Sequence, residues 1–501
     1  MHSTHDRVGV SLRDLFPTAQ FTHPGDLRAA AVCSQPEQCS PGTLFVPVLS
    51  ADSDGHEWAS EAVANGAAAI VAERRLPVAV PQVIVSDTRV ALGEICQALV
   101  GRPSDSLRTI GVTGSRGKTV TTMLMASILE TAGQTAGVIS SVGYSDSLEQ
   151  AATRQTTPRA PLLAKWLGQM TAAGCTDAVI EVSSRALAER RVAGVEFDAA
   201  ILTNLRRDHV EFHGSAENYK LAKRRLFSAM KPGGFAVLNA DDQESQSLLG
   251  EIDCPVLTYG LHAEAEITAT ILERCPSEQT FLLQAGHDSC AVRTAMIGDH
   301  HVSNCLAAAS VALTLGIELP TIARGLEAVD RVPGRLERIE CGQPFSVFVD
   351  VARSPDSLAH SLKSVRKVTS GRLICVFGAS GGRRKQDRAM LGRVAERGSD
   401  LPVITGCHPR HEQPLQIAHA LLDGFQRAAK AQILPGRAQA IRWALSQARP
   451  GDSVLIAGLG DCDYQIIGNQ HVPHCDRAIA REWLYTQGDQ TPARPQFRIV
   501  G

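Results

Sequence analysis

The sequence predicts three α/β domains in series, the middle one a doubly wound sheet with a glycine-rich turn at its centre. Three observations predict it. Strand-like apolar runs alternate with helical stretches along the chain, the pattern of parallel sheets covered by helices. The turn Gly111-Val-Thr-Gly-Ser-Arg-Gly-Lys-Thr119 stands between one such run and a helix. Finally, 501 residues at roughly 150 per domain make about three domains.

Composition narrows the class. Apolar residues make up 44% and charged residues 20%, an ordinary globular balance that excludes a disordered chain. Lys and Arg number 50 against 52 Asp and Glu, for a net charge of −2. A near-neutral chain has no global pull toward nucleic acid or an anionic membrane. Aromatics at 4% argue against base-stacking platforms. The 13 cysteines are scattered from Cys33 to Cys475 with no C-x-x-C pair, so they read as reduced thiols of a cytosolic protein. No apolar run reaches the ~20 residues of a membrane helix, and the first residues lack a signal peptide's apolar core, so the expected location is the cytoplasm.

In chain order, residues 1–106 carry short apolar runs, Gly42–Val48 and Ala67–Ala72, between helical patterns, a small α/β unit. The polar stretch Gly101–Leu107 reads as a linker. Residues 107–331 open on the strand Thr109–Thr113 and the helix Thr119–Thr131, with strands expected at Ala178–Glu181, Ala199–Thr203 and Phe235–Asn239. Helices are expected at Pro161–Ala173 and Ala216–Met230, giving a parallel sheet. Residues 332–501 carry strand patterns at Ser346–Asp350, Leu373–Gly378, Pro402–Thr405 and Ser453–Ala457, a second Rossmann-like unit.

The turn suggests a phosphate loop. Gly114 and Gly117 let backbone N–H groups point at phosphate oxygens, and the helix N-terminus adds its dipole. Lys118 would reach the β- and γ-phosphates, and Thr119 would offer a hydroxyl to Mg²⁺. Val112 breaks the strict G-x-x-x-x-G-K-[ST] pattern. Two further segments, Glu181–Leu187 and Thr203–His209, fall at predicted strand ends of the same sheet, and a helix carrying Lys223 follows. An acidic residue there suits Mg²⁺. Alone, Glu181 could equally cap a helix, and His209 could be an ordinary surface or core histidine.

With these residues in place the chain resembles the Mur ligases, most closely the MurE type. The resemblance runs through Pro41–Val46, Gly55–Glu57, Gly111–Thr119, Thr156–Pro158, Glu181–Leu187, Thr203–His209, Ala222–Phe227, Asn239–Asp242, Val332–Arg338, Asp350–Asp356 and Pro409–Glu412. It implies a uridine-binding N-terminal domain, a central ATPase-like domain and a C-terminal ligase domain. It also implies an ATP-dependent amide-bond ligase of peptidoglycan precursor synthesis, acting as a monomer on a UDP-N-acetylmuramoyl-peptide and an amino acid. Glu181 and His209 would be Mg²⁺ ligands, and Lys223 would be carbamylated to an anion that holds a second Mg²⁺. Lys118, Lys223 and His209 would form the catalytic group. Thr156, Thr157, Ser183 and Arg207 match contacts to the muramoyl peptide. Asn304, Arg335 and Asp350 match ATP-side positions. Arg388, Arg410 and Gly458 match the amino-acid site, the arginines suiting the free carboxylate of meso-diaminopimelate.

The chain also departs from that pattern. Arg116 replaces an asparagine, Val351 and Arg353 replace a tyrosine and a histidine, Arg185 replaces a histidine, and Gly382 replaces an aspartate. Cys33–Ser40 lacks a run that helps hold uridine, and Cys407-His-Pro-Arg410 stands for Asp-Asn-Pro-Arg. Cys462 replaces the glutamate that would meet a distal ammonium. Two expectations follow: a working ligase with altered substrate handling, or a divergent paralogue that binds nucleotide or UDP-sugar with little turnover.

Overall fold

The computed structural model describes residues 9–50, 53–153, 155–206 and 210–488. They pack as two compact units. One comprises residues up to 268 with 284–289 and 303–326, and the other comprises 269–283, 290–302 and 327 onward.

The first unit holds a two-stranded pair, Val10–Ser11 with Arg28–Ala29, and two larger sheets. The N-terminal sheet orders its strands Gln20–Phe21, Gln82–Ile84, Ala67–Ala72, Thr43–Phe45 and Val32–Cys33. All neighbours are parallel except the first pair. One face packs Leu44, Val46, Val71 and Val83 against the helix Thr88–Leu99, which Asp87 caps through the N–H groups of Arg89 and Val90.

The first eight of the eleven strands of the central sheet are, in order, Gln150–Ala151, Gly143–Ser145, Ala136–Ser140, Asp177–Glu181, Arg108–Thr113, Phe197–Leu202, Met230–Asn239 and Val256–Gly260. The strands from Ala136 to Gly260 are parallel neighbours. Burial on both faces explains their near-continuous apolar runs, such as Ala199–Leu202. Expecting a wholly parallel sheet needs one correction: the strand Gly143–Ser145, second from the edge, pairs antiparallel on both sides. A short hairpin needs no crossover helix, and the alternation rule does not see it. The helix expected to reach Met230 ends at Arg224, and the strand Met230–Asn239 begins five residues before the predicted Phe235.

The second unit has a six-stranded sheet in the order Glu337–Ile339, Ser346–Asp350, Ser453–Ala457, Leu373–Phe377, Leu401–Ile404 and Gln432–Ile433. All pairs are parallel except the first. Helix Pro355–Arg366 starts with a capping box between Ser354 and Ser357. Most of the strands Ile267–Arg274, Gln279–Ala285 and Asp288–Thr294 belong to this unit too. No helix among the described residues is long and apolar enough to cross a membrane.

Candidate active site

Strand Arg108–Thr113 lies between Asp177–Glu181 and Phe197–Leu202, so its carboxyl end opens at the middle of the sheet. There the chain turns through Gly114 (φ 150°) and Gly117 (φ 84°) into helix Lys118–Thr131. A Cβ at Gly114 would collide with Thr203 Oγ1, and one at Gly117 with Asn304 Oδ1. Backbone conformation and space both demand glycine. Lys118 curls over the loop, its Nζ donating to Gly114 O (3.0 Å) and Ser115 O (3.3 Å).

The loop is strapped to the segment after the next strand. Ser115 N donates to Asn204 O (2.9 Å), and Ser115 Oγ accepts from Arg206 N (2.8 Å). Asn204 grips the backbone of Arg116 from both sides, its Oδ1 accepting from N (3.0 Å) and its Nδ2 donating to O (3.1 Å). Asp242 in turn fixes that segment, accepting from Leu205 N (2.7 Å) and Ser245 Oγ (2.6 Å).

Beside the loop, buried Glu181 ends its strand. Oε1 accepts from Thr119 Oγ1 (3.2 Å) and Oε2 from Ser141 N (2.9 Å), while Thr119 Oγ1 and Ser141 Oγ lie 3.0 Å apart. Oxygen donors next to a phosphate cradle fit Mg²⁺, which takes one or two carboxylates and completes its shell with phosphate and water. Among the described residues no cluster of three or more His, Cys, Asp and Glu side chains forms. Among the described residues, a metal held here would draw on this one carboxylate and hydroxyl. The sequence expectations at Arg207 and His209 lie outside the described residues.

Thr157 joins this corner. Its hydroxyl donates to Glu181 O (2.8 Å) and accepts from Ser183 N (3.0 Å), and Ser183 caps helix Ser184–Ala188 through Ala186 N (3.2 Å). Thr156 is half-buried next to it. Arg191, which the sequence reading did not single out, donates to Thr157 O (2.7 Å) and pairs with Glu189 (2.7 Å).

Lys223 comes from helix Ala216–Arg224, capped by Ser215. It is 1% exposed, and its Nζ donates to Gly114 O (2.7 Å) and approaches Thr113 Oγ1 (3.4 Å). Lys118 and Lys223 therefore share one carbonyl acceptor. Lys223 Nζ also lies 4.8 Å from the ring centre of Tyr219, whose hydroxyl meets Ser115 Oγ (2.8 Å).

In the second unit, four parallel strands present loops at their carboxyl ends. Asp350 accepts from Leu336 N (2.8 Å), Ala352 N (2.9 Å) and Ser361 Oγ (2.9 Å), and burial holds its carboxyl above the usual range. Arg335 pairs with Asp461 (2.8 Å). Arg388 turns its fork onto Glu412, with both bonds at 2.7 Å, so the arginine proposed for a substrate carboxylate here holds an internal one. That pairing, with a donation from Gly382 N, lowers the Glu412 carboxyl to about 2. Arg410 is exposed and has a left-handed backbone (φ 55°). Burial, with Arg353, Arg437 and Arg410 near, lowers His408 to about 4, and its Nδ1 accepts from Ile466 N (3.1 Å). Burial raises the Cys462 thiol, which donates to Tyr464 O (3.4 Å). Behind these loops, fully buried Arg437 binds Asp476 through two bonds (2.6 and 2.8 Å) and donates to Ala457 O (2.9 Å) and Gly406 O (3.2 Å). Gly458 (φ 121°) follows directly.

Residues 112–312 match the Mur ligase middle domain, and residues 334–460 match the Mur ligase glutamate ligase domain. The chain is 39% identical over 486 residues to the UDP-N-acetylmuramoyl-L-alanyl-D-glutamate–2,6-diaminopimelate ligase of Geobacillus kaustophilus, covering 96% of this chain and 99% of that one. The chain belongs to the Mur ligase family. To the same-named protein of Gloeobacter violaceus this Mur ligase is 37% identical, across 97% and 98% of the two chains. A solved structure of a ligase with that name superposes with a TM-score of 0.70 at 28% identity, covering 96% of this chain and all of the other. A MurF structure from Acinetobacter baumannii, at 21% identity and TM-score 0.63 over 96% and 98%, shares the fold.

Members of the family are ATP-dependent amide ligases, and the first unit of this Mur ligase brings together most of the residues that the resemblance singled out there. Lys118, Thr119, Glu181, Thr157, Ser183, Lys223 and Asn304 come together from separate elements. Ser141, Asn204, Tyr219 and Arg191 join them; Asn204 lies within the singled-out segment Thr203–His209, whereas no motif announced Ser141 or Arg191. Ser141 had a signal in retrospect, as a hydroxyl directly after the strand Ala136–Ser140.

Proposed function

We propose that this Mur ligase joins an amino acid of the diaminopimelate type to a UDP-N-acetylmuramoyl-dipeptide through an acyl phosphate. The names of its relatives support the substrates. The observation that carries the reading is the meeting of Lys118, the Thr119–Glu181 pair and Lys223 around Gly114.

A carboxylate is a poor electrophile, and phosphorylation gives it a leaving group. Lys118 uncurls from the Gly114 and Ser115 carbonyls to meet the γ-phosphate, and the loop N–H groups orient the β-phosphate. Thr119 and Glu181 would hold Mg²⁺, which when bound would supply charge to offset that on a phosphoryl group. Lys223, as a carbamate, would place an anion where two cations now share one carbonyl, and with His209 it would hold a second metal. Thr156, Thr157, Ser183 and Arg207 position the muramoyl peptide. Asn304, Arg335 and Asp350 serve the nucleotide side. Arg410, Gly458 and Arg388 serve the amino acid, with Arg388 exchanging Glu412 for the substrate carboxylate. Domains over 1–106, 107–331 and 332–501, a monomer and a cytoplasmic location complete the reading.

The neutral Cys462 thiol and the committed Arg388 favour altered amino-acid handling, and in the extreme a nucleotide-binding paralogue without turnover. The test is phosphate release by purified protein with ATP, Mg²⁺, the UDP-muramoyl-dipeptide and a panel of amino acids, with mass spectrometry of the nucleotide product. A mass gain of one amino acid supports the ligase and identifies its substrate. Nucleotide binding without product, where a known ligase succeeds, supports the paralogue.

A further inference from the structure

Of the thirteen cysteines, Cys33 and Cys39 are in mutual contact, their sulfurs 2.9 Å apart. Cys33 is buried at the end of strand Val32–Cys33, the outer strand of the N-terminal sheet. Cys39 is half-buried and follows the single turn Pro36–Gln38. The five residues between them already hold a closed loop. Cys39 N donates to Pro36 O (3.1 Å), Asn65 Nδ2 clamps the same carbonyl (3.0 Å), and Ser40 is tied to Thr43 through Ser40 N (3.2 Å) and the hydroxyls (2.9 Å). A disulfide needs its sulfurs at about 2.05 Å, and these approach it with the loop entropy already removed by folding.

We propose that Cys33 and Cys39 form a reversible redox site, closed to an intramolecular disulfide by a low-molecular-weight disulfide of the glutathione class. The Cys39 thiolate, the more accessible, attacks one sulfur of the oxidant, and the first small thiol leaves with the proton Cys39 gave up. The Cys33 thiolate then attacks Cys39 Sγ and expels the second small thiol. Two protein thiols are oxidised, one small disulfide is reduced, and two electrons and two protons pass to it. Burial and the neighbouring thiol push Cys33 up to about 12, which makes it the resolving partner rather than the first nucleophile. The site is independent of the ligase reading.

The test incubates the full chain in glutathione buffers of graded redox poise, quenches with acid, alkylates and maps peptides by mass spectrometry. The expected result is a linked Cys33–Cys39 peptide lacking two hydrogens, reversed by dithiothreitol. It should exceed any other cysteine pair by at least about tenfold in the folded chain, with the preference gone in denaturant. Cys33→Ser should stop at a glutathione adduct on Cys39, and Cys39→Ser should leave Cys33 unmodified. Cys33→Ala serves as the second blocked variant should the serine disturb the sheet. A wild-type chain that accumulates the Cys39 adduct without closing, or that leaves both thiols alkylatable at poises that oxidise ordinary protein dithiols, overturns the proposal.

Discussion

Arg437→Met removes a charge that the second unit has buried completely. Both members of the Arg437–Asp476 pair have fully buried side chains, and they are joined by bonds of 2.6 and 2.8 Å. The variant leaves the Asp476 carboxylate in the interior with His474 Nε2 (2.9 Å) as its neighbour. It also strips a donor from the carbonyls of Ala457 and Gly406. Breaking a buried pair costs about 3–5 kcal/mol, against a total domain stability of roughly 5–15 kcal/mol. In a chain of several domains one global unfolding energy is poorly defined. Amide hydrogen exchange in the strands Leu373–Phe377 and Ser453–Ala457 reads the loss locally. At 1.36 kcal/mol per factor of ten, exchange there should quicken by about two to nearly four orders of magnitude. Replacing both partners, Arg437→Met with Asp476→Leu, should recover most of the protection, because no charge is left unpaired. Acid supplies a second check. Burial pushes the Asp476 carboxyl up, but Arg437 outweighs it and holds the group below its usual range. Its stabilisation is therefore present above the unfolded value of about 3.9 and is lost as pH falls through the folded value. Arg437→Met should lack this acid-dependent loss. Exchange less than about tenfold faster in the single variant, or a double variant no better than the single, would refute the argument.

Lys118→Ala should lower turnover by at least about a hundredfold while the fold persists, because the loop loses its phosphate cation. Activity within tenfold of wild type in a phosphate-release assay would remove that role. Lys223→Ala should be nearly inactive and partly restored by added acetate or formate, which stand in for a carbamate, and full activity without rescue would exclude one. Gly114→Ala should weaken nucleotide binding by titration calorimetry, since the added methyl meets Thr203 Oγ1 at a φ of 150°. Unchanged affinity would show that the loop has room to relax. Cys462→Glu should lower the KM for diaminopimelate by about threefold to tenfold by offering its ammonium a carboxylate, and an unchanged KM would place Cys462 away from the substrate.

The buried parallel strands were legible because burial on both faces writes itself as an uninterrupted apolar run. Ser346–Asp350 and Ser453–Ala457 fall where that pattern put them. Gly143–Ser145 and Gln150–Ala151 were not legible, being too short for either period to register. The glycine-rich loop showed itself through local chemistry, glycines and a lysine in sequence order. The side chains around it did not, because Ser141 meets Thr119 and Arg191 meets Thr157 across many residues, each through a single polar bond. The pairing of Arg388 with Glu412 was hidden for the same reason: each residue reads as a free charge until the fold brings them together.

Asn204 has a consequence for how this loop tolerates inheritance. Because one amide clasps both the N–H and the C=O of Arg116, the shape of the loop at that point is written in the main chain and guaranteed by a neighbour. A lineage has little freedom at 204, where a change would unfasten two bonds at once. In a saturation library position 204 should therefore score as intolerant.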